Sequence, residues 1–207
     1  MSRCVIVGNA RINNYALIKK YIKEEDFFVY CDGGLKHINK IGREPDLIIG
    51  DFDSHEKPET DTEIIELPCE KADTDTCYAM KECIERGFDE FLFVGCIGER
   101  FDHSFGNISL LLKLDEMNLK GVMLDDYSEL SIVPRKGITV KGNISYFSLL
   151  ALTEVAKGVT ITGAKYNLDE AEITNSYQYG ISNELIDGQE AKVFCKEGKL
   201  LLVKVFA

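Results

Sequence analysis

Short apolar runs alternate with helix-spaced positions through residues 1–124. The runs fall at 4–7, 27–31, 47–49, 64–67, 91–95 and 122–124. Between them, residues 15–22, 74–86 and 104–117 repeat their apolar positions at helical spacing, the last through Ile108, Leu111, Leu112 and Leu114. Runs of about five apolar residues alternating with helices predict βαβ units around a buried parallel sheet. Asp73 and Thr74 offer a capped start to the second helix, and Gly87 a stop.

After Leu124 the helical pattern fades. Segments 130–133, 138–140, 144–150, 159–162, 173–176, 190–195 and 200–206 are short and rich in β-branched residues. Glycines at 137, 142, 158, 163, 180, 188 and 198 punctuate them, and Lys196-Glu197-Gly198-Lys199 reads as a hairpin turn. This spacing predicts antiparallel strands. The expected architecture is an α/β domain with a mainly parallel sheet over 1–124, then an all-β sandwich over 125–207.

Composition narrows the functional classes. At 45% hydrophobic and 29% charged residues, the 207-residue chain has enough apolar side chains for real cores. No run of about 18 apolar residues occurs, so no membrane span is expected, and the start lacks a secretory pattern. A net charge of −11 argues against broad nucleic-acid binding, which needs a basic surface. The seven cysteines are odd in number and form no C-x-x-C, and several lie in apolar runs. They read as reduced, mostly buried thiols of a cytoplasmic protein, and with three histidines they make a poor zinc set.

The candidate chemistry lies in aspartates that follow the apolar runs, where a parallel sheet opens its ligand crevice. Asp32-Gly33-Gly34 follows 27–31, and Gly50-Asp51-Phe52-Asp53-Ser54 follows 47–49. Lys71-Ala72-Asp73-Thr74-Asp75-Thr76 comes after 64–67, and Gly98-Glu99-Arg100-Phe101-Asp102-His103 after 91–95, with Asn107 one helical turn on. Any one such motif reads readily as a cap or turn; four at successive strand ends are hard to explain by capping. Asp51 and Asp53, two apart, point the same way in an extended segment. Clustered carboxylates repel, a divalent cation removes that cost, and hard oxygen ligands favour Mg²⁺ over zinc. Glycines 33, 34, 50 and 98 permit close approach to a phosphate, and Arg100 supplies a fork for its oxygens. The chain has no G-x-x-x-x-G-K-[ST], no G-x-G-x-x-G at Gly8-Asn9-Ala10, and no protein-kinase set. The residues alone therefore indicate a Mg²⁺-dependent enzyme handling a phosphorylated ligand.

Taken in order with Gly180-Ile181-Ser182-Asn183-Glu184, these motifs resemble the thiamine pyrophosphokinase family over residues 32 to 184. The resemblance implies an ATP-binding α/β domain, a thiamine-binding β-sandwich, and a homodimer with thiamine near the subunit interface. The implied reaction is ATP + thiamine → AMP + thiamine diphosphate. On this reading Asp51, Asp53 and Asp73 hold Mg²⁺, or Asp75 and a water take the third position in place of Asp73. ATP meets Asp32, Gly33, Gly34, Asp51, Ser54, Thr74, Arg100, His103 and Asn107. Asp75, Ser182 and Asn183 meet thiamine, and Asp51, Asp53, Asp75, Arg100 and Asp102 carry the catalysis. Asp75 or Asp102 takes the hydroxyl proton. The family's K-D-x-T-D is altered: Ala72 follows Lys71, and Asp stands at 73. Ser182 and Asn183 read equally as a strand-end turn, and His103 as a structural residue beside a cap. Two other readings remain open, a metal-dependent phosphohydrolase built on Asp51-x-Asp53 and a non-catalytic nucleotide or thiamine sensor.

Overall fold

The computed structural model describes residues 3–52, 57–68, 70, 72–186 and 188–207. The chain divides into two units, Met1–Asp126 and Tyr127–Ala207.

In the first unit every apolar run becomes a strand: β1 (Cys4–Val7), β2 (Phe27–Cys31), β3 (Leu47–Gly50), β4 (Glu63–Glu66), β5 (Glu90–Val94) and β6 (Lys120–Leu124). They pair in parallel in the order β4-β3-β2-β1-β5-β6. β1 and β3 are buried at every position, and β2 and β5 at all but the first, which is why they read as continuous apolar runs. Phe28, Tyr30, Phe91 and Phe93 are among the largest fully buried side chains, each contributing about 1.5–3 kcal/mol. β4 carries Glu at both ends, which suits the exposed edge of a sheet.

Four helices join the strands: α1 (Tyr15–Tyr21), α2 (Ile38–Ile41), α3 (Asp75–Glu85) and α4 (Phe101–Glu116). The α3 stripe Thr76, Ala79, Met80 and Cys83 is buried, as its periodicity requires. Thr74 caps it, Oγ1 accepting from Cys77 N at 3.3 Å. Asp32-Gly33-Gly34, the first strand-end motif, begins a 3₁₀ turn (Asp32–His37) that runs into α2. The glycines serve close packing there: a Cβ on Gly34 would lie 2.3 Å from the Val7 carbonyl oxygen.

The buried His37 ends that turn. Its Nε2 donates to the Ala10 carbonyl at 3.0 Å, and its Nδ1 accepts from the Tyr15 hydroxyl at 2.7 Å. This is the neutral Nε2–H form, tying the 3₁₀ turn to the segment after β1.

The second unit contains β7 (Ser128–Ile132), β8 (Ile138–Val140), β9 (Ile144–Ala151), β10 (Val155–Thr162), β11 (Leu168–Thr174), β12 (Ala191–Phe194) and β13 (Leu200–Phe206). β7-β13-β9 and β11-β10-β12-β8 form two antiparallel arrays. Their shared core takes Phe147, Leu149, Leu200 and Leu202 from the first and Val159, Ile161, Ile173 and Val193 from the second, a β-sandwich. β10 and β11 begin four and five residues before their apolar runs at 159 and 173, because bulges break the alternation between them.

Asn183 braces this unit from a buried position. Its backbone exchanges hydrogen bonds with Phe147 at 2.8 and 2.9 Å. Its Oδ1 accepts from Tyr166 N at 3.0 Å and Glu184 N at 2.9 Å, and its Nδ2 donates to the Tyr166 carbonyl at 2.7 Å. Among the described residues all six cysteines are free thiols, and no helix is long and apolar enough to cross a membrane.

Two outcomes follow. Burial lowers the pKa of His37 from its ordinary 6.5, so the unfolded chain binds a proton that the folded chain resists. The associated stability is present above about pH 6.5 and is lost as pH falls through the lower folded value. The thermal midpoint should therefore drop between pH 7.5 and 5.5, and by less in His37→Gln. Asn183→Ala should destabilise the protein by about 1–3 kcal/mol in urea titration, because it removes three hydrogen bonds from a buried side chain to the backbone of residues 166 and 184.

Candidate active site

The strand order reverses at β1. The chain steps outward through β2, β3 and β4, then crosses back to set β5 on the other side of β1. The segments leaving β1 and β5 must diverge, and at the carboxyl ends of such strands an α/β sheet opens a crevice. A cleft of about 480 Å³ lies there. Gly8, Asn9 and Ala10 line it after β1, Asp32, Gly33 and Lys36 after β2, and Asp51 after β3. Thr74, Asp75 and Thr76 line it at the start of α3, and Gly98, Arg100, His103, Ser104 and Asn107 around the start of α4. Two helix N-termini with their unshared N–H groups thus reach the cleft, an arrangement suited to an anion.

Three carboxylates converge in it. Asp32, Asp51 and Asp75 each offer an oxygen within 4.8 Å of the others, and Oδ1 of Asp32 and of Asp75 are both buried. Local sequence makes this possible. Gly50 has no side chain, and a Cβ there would lie 2.8 Å from Cβ of Asp32, so the end of β3 and the Asp32 side chain come together. Asp32 (φ 24°) and Phe52, next to Asp51 (φ 50°), both hold left-handed backbone that non-glycine residues adopt at a cost. Three acidic oxygens crowded at a partly buried strand-end site are hard ligands in a repulsive arrangement, and such a set fits Mg²⁺.

The expected metal residues divide. Asp51 is in the group, and Asp53 and Ser54 lie outside the described residues, as does Lys71. Asp73 is directed elsewhere: its carboxylate is held by the Lys81 ammonium and by the Cys77 thiol at 3.5 Å. Those contacts keep its carboxyl below the usual range, with Lys81 the main cause. The two carboxylates near Asp51 are those of Asp32, expected above as an ATP-binding residue, and Asp75, expected as a catalytic and thiamine-binding residue.

Arg100 binds Asp102 through Nε–Oδ1 at 2.9 Å and Nη2–Oδ2 at 2.6 Å, with side chains 70% and 64% exposed. That fork holds the Asp102 carboxyl well below the ordinary range and makes it a poor proton acceptor. Asn107 and Ser104 organise the loop after β5. Asn107 Nδ2 donates to the Cys96 carbonyl at 2.7 Å, while Ser104 Oγ accepts from Gly98 N at 3.0 Å. Buried Cys31 and Cys96 also line the cleft, and burial pushes the Cys96 thiol up to about 12. Ser182 and Asn183 belong to the second unit; Ser182 is exposed with φ 59°, and the Asn183 amide serves the contacts to residues 166 and 184 described above.

Sequence reasoning missed Asn9, Lys36, Thr76 and Ser104. Gly8-Asn9-Ala10 was set aside because it lacks a dinucleotide-binding pattern, although the strand-end rule applied to β1 points to it. Lys36 and Ser104 carry no motif; only the 3₁₀ turn and the helix register aim them inward.

Known proteins resemble this chain in sequence and fold. Residues 18–123 match the family model described as thiamin pyrophosphokinase, catalytic domain, and residues 132–200 match that for the thiamin pyrophosphokinase vitamin B1 binding domain. The chain is 30% identical over 192 residues to a thiamine pyrophosphokinase of Bacillus subtilis, covering 89% of each. A crystal structure of the Geobacillus thermodenitrificans thiamin pyrophosphokinase superposes with a TM-score of 0.84 at 27% identity, over 99% of this chain and 98% of that one. The Candida albicans enzyme shares the fold at 16% identity, with a TM-score of 0.78 over 100% and 89% of the two chains. By both halves of its sequence and by its fold, the chain belongs to the thiamin pyrophosphokinase family.

Proposed function

We propose that this chain transfers the pyrophosphoryl group of ATP to the hydroxyl of thiamine, giving thiamine diphosphate and AMP. One observation carries the reading at the level of chemistry. Three carboxylates and two helix N-termini share a cleft at the switch point of a parallel sheet.

In this reading Asp32, Asp51 and Asp75 hold Mg²⁺, and Asp53 completes the set as the sequence suggests. Bound there, the cation would offset charge on the phosphate oxygens. The chain's own residues do the rest. Glycines 33 and 98 let backbone approach the polyphosphate, and the first turns of α3 and α4 present N–H groups to it. Arg100 exchanges its Asp102 partner for phosphate oxygens, a bidentate match of the same geometry. The hydroxyl oxygen of thiamine forms a bond to the β-phosphorus while the bond from that phosphorus to the α,β-bridging oxygen breaks and AMP departs. A loose transfer of this kind depends chiefly on alignment and charge stabilisation. Of the two carboxylates considered for the hydroxyl proton, Asp75 lines the cleft and Asp102 does not.

We assign thiamine recognition to the second unit, with Ser182 as the contacting side chain and Asn183 as its brace. Two copies form the working enzyme, so light scattering should give about twice 23.3 kDa. The free thiols suit a reducing compartment such as the cytoplasm.

Incubation with ATP, Mg²⁺ and thiamine should yield AMP and thiamine diphosphate in equal amounts. Rapid phosphate release from ATP without thiamine would favour a phosphohydrolase instead. Asp51→Asn should lower kcat at least about tenfold with the circular dichroism spectrum unchanged. Arg100→Ala should reduce kcat/KM for ATP by about tenfold or more and move the KM for thiamine much less, as steady-state kinetics with each substrate varied will read.

A further inference from the structure

Lys36 is a second cation of the cleft, with no place in the motifs read from the sequence. It stands on the 3₁₀ turn that Asp32 opens, four residues along, and it lines the same cavity. Its ammonium donates to the backbone carbonyl of Asn9 and, at 2.6 Å, to Asn9 Oδ1. Both acceptors are neutral. Among the described residues Lys57, Lys81, Lys120, Lys141, Lys157, Lys165, Lys196 and Lys204 all pair with a carboxylate, as does Arg100, the other cation on the lining. Lys36 is thus held by neutral acceptors in a cleft whose other lining groups include three clustered carboxylates.

Its anchorage also fixes where that charge sits. Gly33 packs so tightly on Asn9 that a Cβ would lie 2.4 Å from the Asn9 side chain, and His37 binds Ala10 from the next position. The 3₁₀ turn and the segment after β1 are therefore clamped together at three successive points. An ammonium has three N–H donors, and two are committed to Asn9. The third, with the whole charge, remains for an anion entering the cleft, and a lysine acts on phosphate as such a point charge.

We infer that Lys36 binds the polyphosphate of the nucleotide donor, its ammonium positioned by Asn9. The inference rests on the proposed donor reading, and it assigns Lys36 a binding role rather than a chemical one. The charge ledger supports it: a triphosphate brings about four negative charges beside Asp32, Asp51 and Asp75, more than one divalent cation and Arg100 offset.

The test compares wild type, Lys36→Gln and Lys36→Arg in Mg²⁺ buffer, by calorimetric titration with ATP, adenosine and inorganic tripolyphosphate. Gln can still donate to Asn9 but has no charge, whereas Arg keeps the charge. Lys36→Gln should weaken ATP and tripolyphosphate by about tenfold each and leave adenosine within about twofold, and Lys36→Arg should recover most of the loss. Equal weakening of ATP and adenosine would show that Lys36 only props the Asn9 segment, and an unchanged tripolyphosphate affinity would also overturn the assignment. Wild type that bound tripolyphosphate through Lys36 but ignored ATP would leave the assignment standing and remove ATP as the donor.

Discussion

Three carboxylates within 4.8 Å of one another are a repulsive arrangement, and the design of the first unit follows from holding them there. No loop could keep Asp32, Asp51 and Asp75 together against that repulsion. Strands can, because β2 and β3 are parallel neighbours, paired Cys31 to Ile49, so their ends emerge side by side. α3 enters from the next connection and brings Asp75 in its first turn. The fully buried strand cores anchor these ends, so the cost of the cluster is borne by packing elsewhere in the unit. Left-handed backbone at Asp32 and Phe52 adds to that cost at the same place.

The cleft lining carries both signs, with Asp32, Asp51, Asp75 and Glu99 beside Lys36 and Arg100. A polyphosphate with its cation requires both signs in one cavity. Asn9, Ser104 and Asn107 are neutral, and their contacts hold the surrounding segments in position. In the second unit the buried Asn183 ties its segment to Phe147 through the backbone and to Tyr166 through its side chain.

Strands were legible because burial on both faces writes itself as an uninterrupted apolar run, as in Cys4-Val5-Ile6-Val7 and Phe27-Phe28-Val29-Tyr30-Cys31. The strand-end aspartates were legible for the same reason. What failed to show was direction. Asp73 and Asp75 are two apart and look equivalent in sequence, yet Asp75 lies inside α3 while Asp73 precedes the cap and meets Lys81, two turns along that helix. The tight packing of the 3₁₀ turn was not legible, because it depends on Gly33 meeting the Asn9 side chain and Gly34 the Val7 carbonyl, contacts distant in sequence. Asn183 reads from sequence as a ligand or a strand-end turn, and nothing local in the sequence announces the three hydrogen bonds its side chain makes to the backbone of residues 166 and 184.

A carboxylate cluster held together for a divalent cation, as proposed, should show itself in thermal unfolding of wild type and Asp32→Asn with and without Mg²⁺. Asn keeps the shape and tolerates the left-handed backbone at position 32. Mg²⁺ should raise the wild-type midpoint, Asp32→Asn should be more stable than wild type in metal-free buffer, and the variant should lose most of the response to Mg²⁺. A wild-type midpoint indifferent to Mg²⁺, together with an Asp32→Asn variant less stable than wild type without metal, would contradict the proposal.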